Sequence, residues 1–84
     1  MDQEEISYIL INCEAGSEGK VIDELKSIDC IKEVQGVIGN YDILAKLETP
    51  SIEHTRDAIS VIRKIKDIHC TTTVICAKDL RLTN

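Results

Sequence analysis

Between Val34 and Leu47 the chain reads Val-Gln-Gly-Val-Ile-Gly-Asn-Tyr-Asp-Ile-Leu-Ala-Lys-Leu, two apolar runs on either side of Gly39 and Asn40. Gly and Asn tolerate the positive φ of a tight hairpin turn, so the segment predicts two antiparallel strands joined at that pair. Tyr41 and Asp42 follow at once. A hydroxyl, a carboxylate and exposed backbone amides therefore meet at one strand end. A hairpin in mid-chain, with one strand-helix unit before it and one helix-strand unit after it, leaves few folds to choose from.

The flanking segments supply those units. Ile6 to Cys13 is β-branched and apolar, hence a strand. Glu14 to Ser17 is a turn with Ser17 as a helix N-cap, and Val21, Ile22, Leu25 and Ile28 then line one helical face. Strands are expected at Ile31–Ile38 and Tyr41–Glu48. Thr49-Pro50-Ser51 halts the third strand and offers Ser51 as the next N-cap. Thr55, Ala58, Ile59, Ile62 and Ile65 make the inner stripe of a second helix, with Arg56, Arg63, Lys64 and Asp67 largely off it. Ile68 to Ala77, rich in Thr and Val, is the last strand, and Lys78 to Asn84 is a polar tail. The order βαββαβ is that of a ferredoxin-like α+β domain, a four-stranded antiparallel sheet with two helices on one face. Ile28-Asp-Cys-Ile-Lys and Ile65-Lys-Asp-Ile-His read as two copies of one helix-to-strand junction.

Size and composition bound what such a domain can do. The 84 residues predict a single domain over 1–84 with its core at about 6–77. With neither Phe nor Trp, and with Tyr8 and Tyr41 as the only aromatics, the core falls to Ile, Val and Leu, with Ala and Cys as fillers. A chain this short buries only about 60–65% of its unfolded surface, so that core is marginal. Tyr8 and Leu10 of the first strand point to one side while Ile9 and Ile11 point to the other. Right-handed crossovers put both helices on one face, which leaves the opposite apolar face uncovered. Association through that face is the expectation. Fifteen acids against ten bases give a net charge of −5, which argues against direct nucleic-acid or anionic-membrane binding. The first residues lack the pattern of a signal peptide and no apolar run is long enough to span a membrane, so a soluble cytoplasmic protein is expected. Cys13, Cys30, Cys70 and Cys76 show no CxxC or zinc-finger spacing and are read as reduced thiols acting as small core hydrophobes.

Chemistry-bearing patterns are few. Gly16-Ser-Glu-Gly19 at a helix start lacks the ending of a P-loop, and Glu14 and Glu18 repel anions, so it is a turn with a cap. His54 reads as a solvated residue of a first helical turn, His69 lacks a partner pair for a metal, and no catalytic constellation emerges. The chain is therefore not read as an enzyme, and no cofactor is expected. Thr71-Thr72-Thr73 suits a strand on propensity alone, yet Thr71 and Thr73 share a face and present two hydroxyls in register. A turn accounts for Asn40 but not for Tyr41 and Asp42 together.

Tyr8-Ile-Leu-Ile-Asn-Cys-Glu, the Gly39-Asn-Tyr-Asp42 turn within Val34 to Leu47, and Thr71-Thr-Thr-Val-Ile together resemble the ligand-binding (RAM) domain of the Lrp/AsnC transcription regulators. The resemblance covers roughly residues 6–77. It implies domains paired sheet face to sheet face into dimers and further into rings, with a small effector, usually an amino acid, bound between dimers. It also implies a ligand site at Gly39, Asn40, Tyr41 and Asp42 and extends to Thr71 and Thr73, either of which would finish the rim from a neighbouring subunit. Regulators of that family carry a helix-turn-helix DNA-binding domain before this unit. Five residues precede the first strand here, so a stand-alone version without direct DNA binding is expected. Partners would then be further copies of the chain, the effector, and regulators of the Lrp/AsnC type.

Two other functional classes compete with such a sensor of small molecules. One is a ligand-free module that only co-assembles with full-length regulators. The other is a small enzyme on the same fold, but acylphosphatase-like chemistry wants an Arg-and-Asn phosphate site that is missing near the first strand. An RNA-recognition surface would want strand aromatics and basic charge. An ACT-type regulatory domain is a near neighbour in fold and ligand class, and the Tyr-Asp after the turn favours the Lrp/AsnC resemblance.

Overall fold

Alternation of apolar residues along the strands dictates the layering. In the computed structural model, which describes residues 4–76, the elements are β1 (Glu5–Cys13), α1 (Glu18–Lys26), β2 (Ile31–Gly36), β3 (Ile43–Thr49), α2 (Ile52–Arg63) and β4 (Ile68–Ile75). The strands form one sheet in the order β2-β3-β1-β4, each pair antiparallel. This is the ferredoxin-like α+β fold.

Ser7, Ile9, Ile11 and Cys13 of β1 and Ile43, Ala45, Leu47 and Thr49 of β3 are buried, with Ile9 facing Ala45 and Ile11 facing Ile43 across the ladder. Val21 and Leu25 of α1 and Thr55, Ala58 and Ile62 of α2 close over them. Each fully buried Ile or Leu contributes about 1.5–3 kcal/mol. The buried hydroxyls of Thr49 and Thr55 lie 2.6 Å apart and both donate towards the Ser51 carbonyl, which locks the start of α2 to the end of β3. Ser51 caps α2 as expected, its hydroxyl accepting from the His54 amide. Ser17 precedes α1 but does not cap it; its hydroxyl donates instead to Asp67 Oδ2 at 3.2 Å.

The other face of the sheet stays open. Leu10 lies between Leu44 and Thr72, and Tyr8 between Lys46 and Val74, all of them half-buried or exposed. Lys46 pairs with Glu48 at 3.5 Å on this face, and Tyr8 followed by Glu48 raises the lysine above its ordinary range. Cys70 and Cys76 are exposed, a correction to their expected role as core fillers. Cys70 falls at an even position of β4, which shares the open face with Leu10 and Tyr8, and Cys76 directly follows the strand, its amide donating to Ile6 O at 2.9 Å. Cys13 alone is fully inside, and burial, then the Asp42 carboxylate, raises its thiol pKa. The four thiols are free.

The repeated junction is visible in three dimensions. Cys30 O accepts from the Glu48 amide at 2.9 Å and Asp67 O accepts from the Glu14 amide at 2.8 Å, so each helix-to-strand corner is pinned to a neighbouring strand in the same way. Asp67 holds φ at +78°, a backbone region costly for a residue with a Cβ.

Candidate ligand site at the β2–β3 hairpin

The β2–β3 connection is wider than a two-residue turn. The expected strands at 31–38 and 41–48 shorten and shift to Ile31–Gly36 and Ile43–Thr49. Val37 donates to Asp42 O at 2.9 Å, which closes a four-residue tip from Ile38 to Tyr41. Only Gly39 in the tip takes positive φ, at +145°, and a Cβ there would meet no neighbouring atom. The physical reason lies in Asp42. Its amide donates to Ile11 O at 2.9 Å and its Oδ2 accepts from the Cys13 amide at 2.9 Å. Those bonds draw the start of β3 against the end of β1, and the tip spans the remaining gap.

Asp42 is thus a half-buried carboxylate with one oxygen committed to the backbone of β1. Asn40 and Gly39 are exposed, and the backbone N–H groups of Ile38, Gly39, Asn40 and Tyr41 donate to no acceptor among the described residues. Ile38 stands fully exposed at the apex (104%). The tip leans over the open face of the sheet and is tied there twice. Asn12 Nδ2 donates to Asn40 O at 2.9 Å, and the Tyr41 hydroxyl lies 3.2 Å from Thr72 Oγ1. Asn12 Oδ1 accepts in turn from the Cys70 thiol at 3.5 Å.

Gly39, Asn40, Tyr41 and Asp42 therefore come together, as one contiguous tip. Thr71 and Thr73 do not join them within one copy. They pair with Ile11 and Ile9, whose side chains face the helices, and Arg63 Nε donates to Thr71 Oγ1 at 3.3 Å on that side. Thr72 is the threonine that meets Tyr41. Register parity decides this, and parity is invisible in a run of three identical residues. Asn12 also went unread as a site residue, although a polar side chain ending the Tyr8–Leu10 alternation was a signal for it. Of the two histidines, His54 Nδ1 lies 2.7 Å from Ser51 Oγ and His69 Nε2 lies 3.0 Å from Glu14 Oε1. Among the described residues no three His, Cys, Asp or Glu side chains gather into a possible metal site. No helix among them is long and apolar enough to cross a membrane.

A ferredoxin-like sheet carrying a donor-rich hairpin tip beside a carboxylate is the arrangement set against known families. The family model described as Lrp/AsnC ligand binding domain matches residues 6–83, and the chain belongs to that family. A curated relative, the HTH-type transcriptional regulator FL11 of Pyrococcus abyssi, is 32% identical over 73 residues, which are 87% of this chain and 48% of that protein. The chain thus spans about half the length of the curated relatives it matches. Among solved structures, FFRP-DM1 superimposes with a TM-score of 0.84 at 32% identity, covering 87% of this chain and 99% of that one. A feast or famine regulatory protein of M. tuberculosis, solved in complex with L-methionine, superimposes with a TM-score of 0.75. It is 16% identical, covers 95% of this chain and 52% of that one, and shares the fold. The chain is a regulatory ligand-binding module of this family, and the curated relative FL11 is a transcriptional regulator.

Proposed function

We propose that the protein senses a small molecule, an amino acid, at the tip formed by residues 38–42, within an assembly built through its open sheet face. The observation that carries this reading is the set of unengaged backbone N–H groups from Ile38 to Tyr41 next to the Asp42 carboxylate. A zwitterionic ligand needs both halves. Successive amides cradle its carboxylate as an anion-binding nest, and the second Asp42 oxygen accepts from its ammonium in a charge-assisted bond. The Tyr41 ring, held near Thr72, walls the pocket. One copy leaves this site half-walled, and Ile38 at full exposure is a surface that another copy covers. Thr71 and Thr73 contribute in this scheme only from a neighbouring copy. The L-methionine bound by the M. tuberculosis protein of the same fold supports the ligand class. Transcriptional or metabolic effects pass through a partner regulator rather than through direct DNA contact, which the net charge of −5 disfavours. The reading places the protein in the cytoplasm, where four free thiols stay reduced.

A thermal-shift screen against the standard amino acids and their keto-acid relatives tests the reading. A ligand at 100 times its Kd adds about 2.7 kcal/mol of stability. Calorimetry on Asp42→Asn then isolates the charge, because the amide still offers an oxygen to the Cys13 amide. Binding should weaken by about 1.5–3 kcal/mol. Equal affinities would remove Asp42 from the site. Absence of any shift across the screen would leave the ligand-free assembly, which the exposed Ile38 also suits, as the better reading.

A further inference from the structure

Asn is a poor strand former, yet Asn12 stands next to last in β1, which is bonded to a strand on each side. The other residues that β1 sends to the open face here are Tyr8 and Leu10. The ladder between β1 and β4 slips at Asn12/Cys13, an irregularity of the kind that re-aims a side chain. The half-buried Asn12 amide is engaged at both ends. Its Nδ2 donates to Asn40 O at 2.9 Å and its Oδ1 accepts from the Cys70 thiol at 3.5 Å. A carbonyl can only accept, so the bond to Asn40 also fixes which end of the amide faces the tip.

Three consecutive residues of β1 hold the hairpin tip. Ile11 O accepts from the Asp42 amide and the Cys13 amide donates to Asp42 Oδ2, both at 2.9 Å. Those are backbone groups of β1, which most residue types at 11 and 13 would supply. Position 12 acts on the tip through its side chain, so this contact depends on the residue type. Its effect reaches past Asn40. The Asn40–Tyr41 peptide is trans. In a planar trans peptide the C=O and the N–H point in opposite directions. With Asn40 O drawn towards Asn12, the Tyr41 N–H is therefore turned away from Asn12. The side chain of the same residue is held over the sheet, its hydroxyl 3.2 Å from Thr72 Oγ1. The Tyr41 N–H meets no acceptor among the described residues, and Asp42 is the next residue along.

We propose, resting on the reading of the tip as an amino-acid site, that Asn12 is its positioning residue. Asn12 fixes the plane of the Asn40–Tyr41 peptide and so presents the Tyr41 N–H to the carboxylate of the bound amino acid. The Asp42 oxygen that takes the ammonium lies one residue on. Without the Asn12 donor this peptide is free to rotate. Only the fraction of molecules with the N–H turned outward is then competent, and the apparent affinity falls by that fraction. Stability changes little, because Asn40 is exposed and its carbonyl exchanges the lost bond for one to water.

Two variants of the full chain test this. Asn12→Asp keeps the shape but cannot donate, and Asn12→Ala removes the donor without adding charge. Backbone nitrogen-15 relaxation of the ligand-free protein, read for both picosecond–nanosecond and microsecond–millisecond motion, should find the Tyr41 amide rigid in the wild type and mobile in both variants. Calorimetric titration with the standard amino acids, one at a time, should show binding weakened about tenfold in both, with the melting temperature nearly unchanged. A Tyr41 amide that stays rigid in both variants overturns the proposal. So does weakening in Asn12→Asp alone, which would assign the effect to charge, or a melting temperature that falls along with affinity, which would make Asn12 merely structural. If no standard amino acid binds the wild type, the reading of the tip as an amino-acid site fails instead, and the relaxation data still decide whether Asn12 sets the peptide.

Discussion

Ile9 and Leu10 are adjacent in the chain and alike in volume, yet Ile9 has no exposed surface and Leu10 keeps part of its own. The difference extends over the two faces of the sheet. On the side of Ile9, two helices complete a mainly aliphatic core, with Ser7, Thr49 and Thr55 as its buried polar members and without any Phe or Trp. On the side of Leu10, Leu44, Val74 and Tyr8 form a patch interrupted by Lys46, Glu48 and Thr72. One face satisfies itself within a single copy. The other leaves apolar and polar side chains exposed side by side. The candidate site lies where the hairpin tip reaches over the second face, so in the proposed reading the closed face supplies stability and the open one function.

That contrast can be broken by substitution. Ile9→Ala, on the closed face, should cost about 2–5 kcal/mol, read as a lowered urea midpoint, because the cavity has rigid walls on every side. Leu10→Asp should leave the fold intact and reduce the assembled mass in light scattering, since it puts charge into the proposed interface. A Leu10→Asp protein that unfolds as readily as Ile9→Ala would mean that the two faces are not separable. Asp42→Ala sharpens the division at the site itself. It strands the Cys13 amide and should cost about 1–3 kcal/mol of stability, whereas Asp42→Asn retains the acceptor and should cost less.

The smallest effect concerns the thiols. The exposed Cys70 and Cys76 should react with a disulfide reagent quickly, and the buried Cys13 only on unfolding. The raised Cys13 pKa means that the folded state holds the thiol proton more tightly than the unfolded one. Its contribution to stability is therefore full at neutral pH and is lost as pH climbs above the ordinary thiol range. Slow reaction of Cys70 and Cys76 in the assembled protein, restored by Leu10→Asp, would place both thiols under the associating face. Equal rates for Cys13 and Cys70 in the folded chain would contradict the burial contrast.

Much of this was legible in the residues. The periods of apolar side chains placed all four strands and both helices, and Pro50-Ser51 marked the start of α2, because local sterics and burial of one face act over a few residues. The closeness of Gly39 to Asp42 was legible for the same reason: they are contiguous. Element ends at the hairpin were not. Val37 to Asp42 leave the ladder because Asp42 spends its amide and its carboxylate on β1, nearly thirty residues earlier in the chain.

By itself, then, the sequence determined the order of elements, the inward set of Ile9, Ile11, Ile43 and Leu47, and the family to which the chain belongs. Pattern, propensity and turn chemistry are local quantities, and local quantities can be read along a chain. Tertiary structure alone decided that Thr72 rather than Thr71 or Thr73 meets Tyr41, that Asn12 ties down the tip, and that Cys70 and Cys76 face outward. It also decided that Arg63 reaches Thr71 on the helix side of β4. Each of these depends on the register of strands distant in sequence, where a slip of one residue exchanges every inward side chain for an outward one.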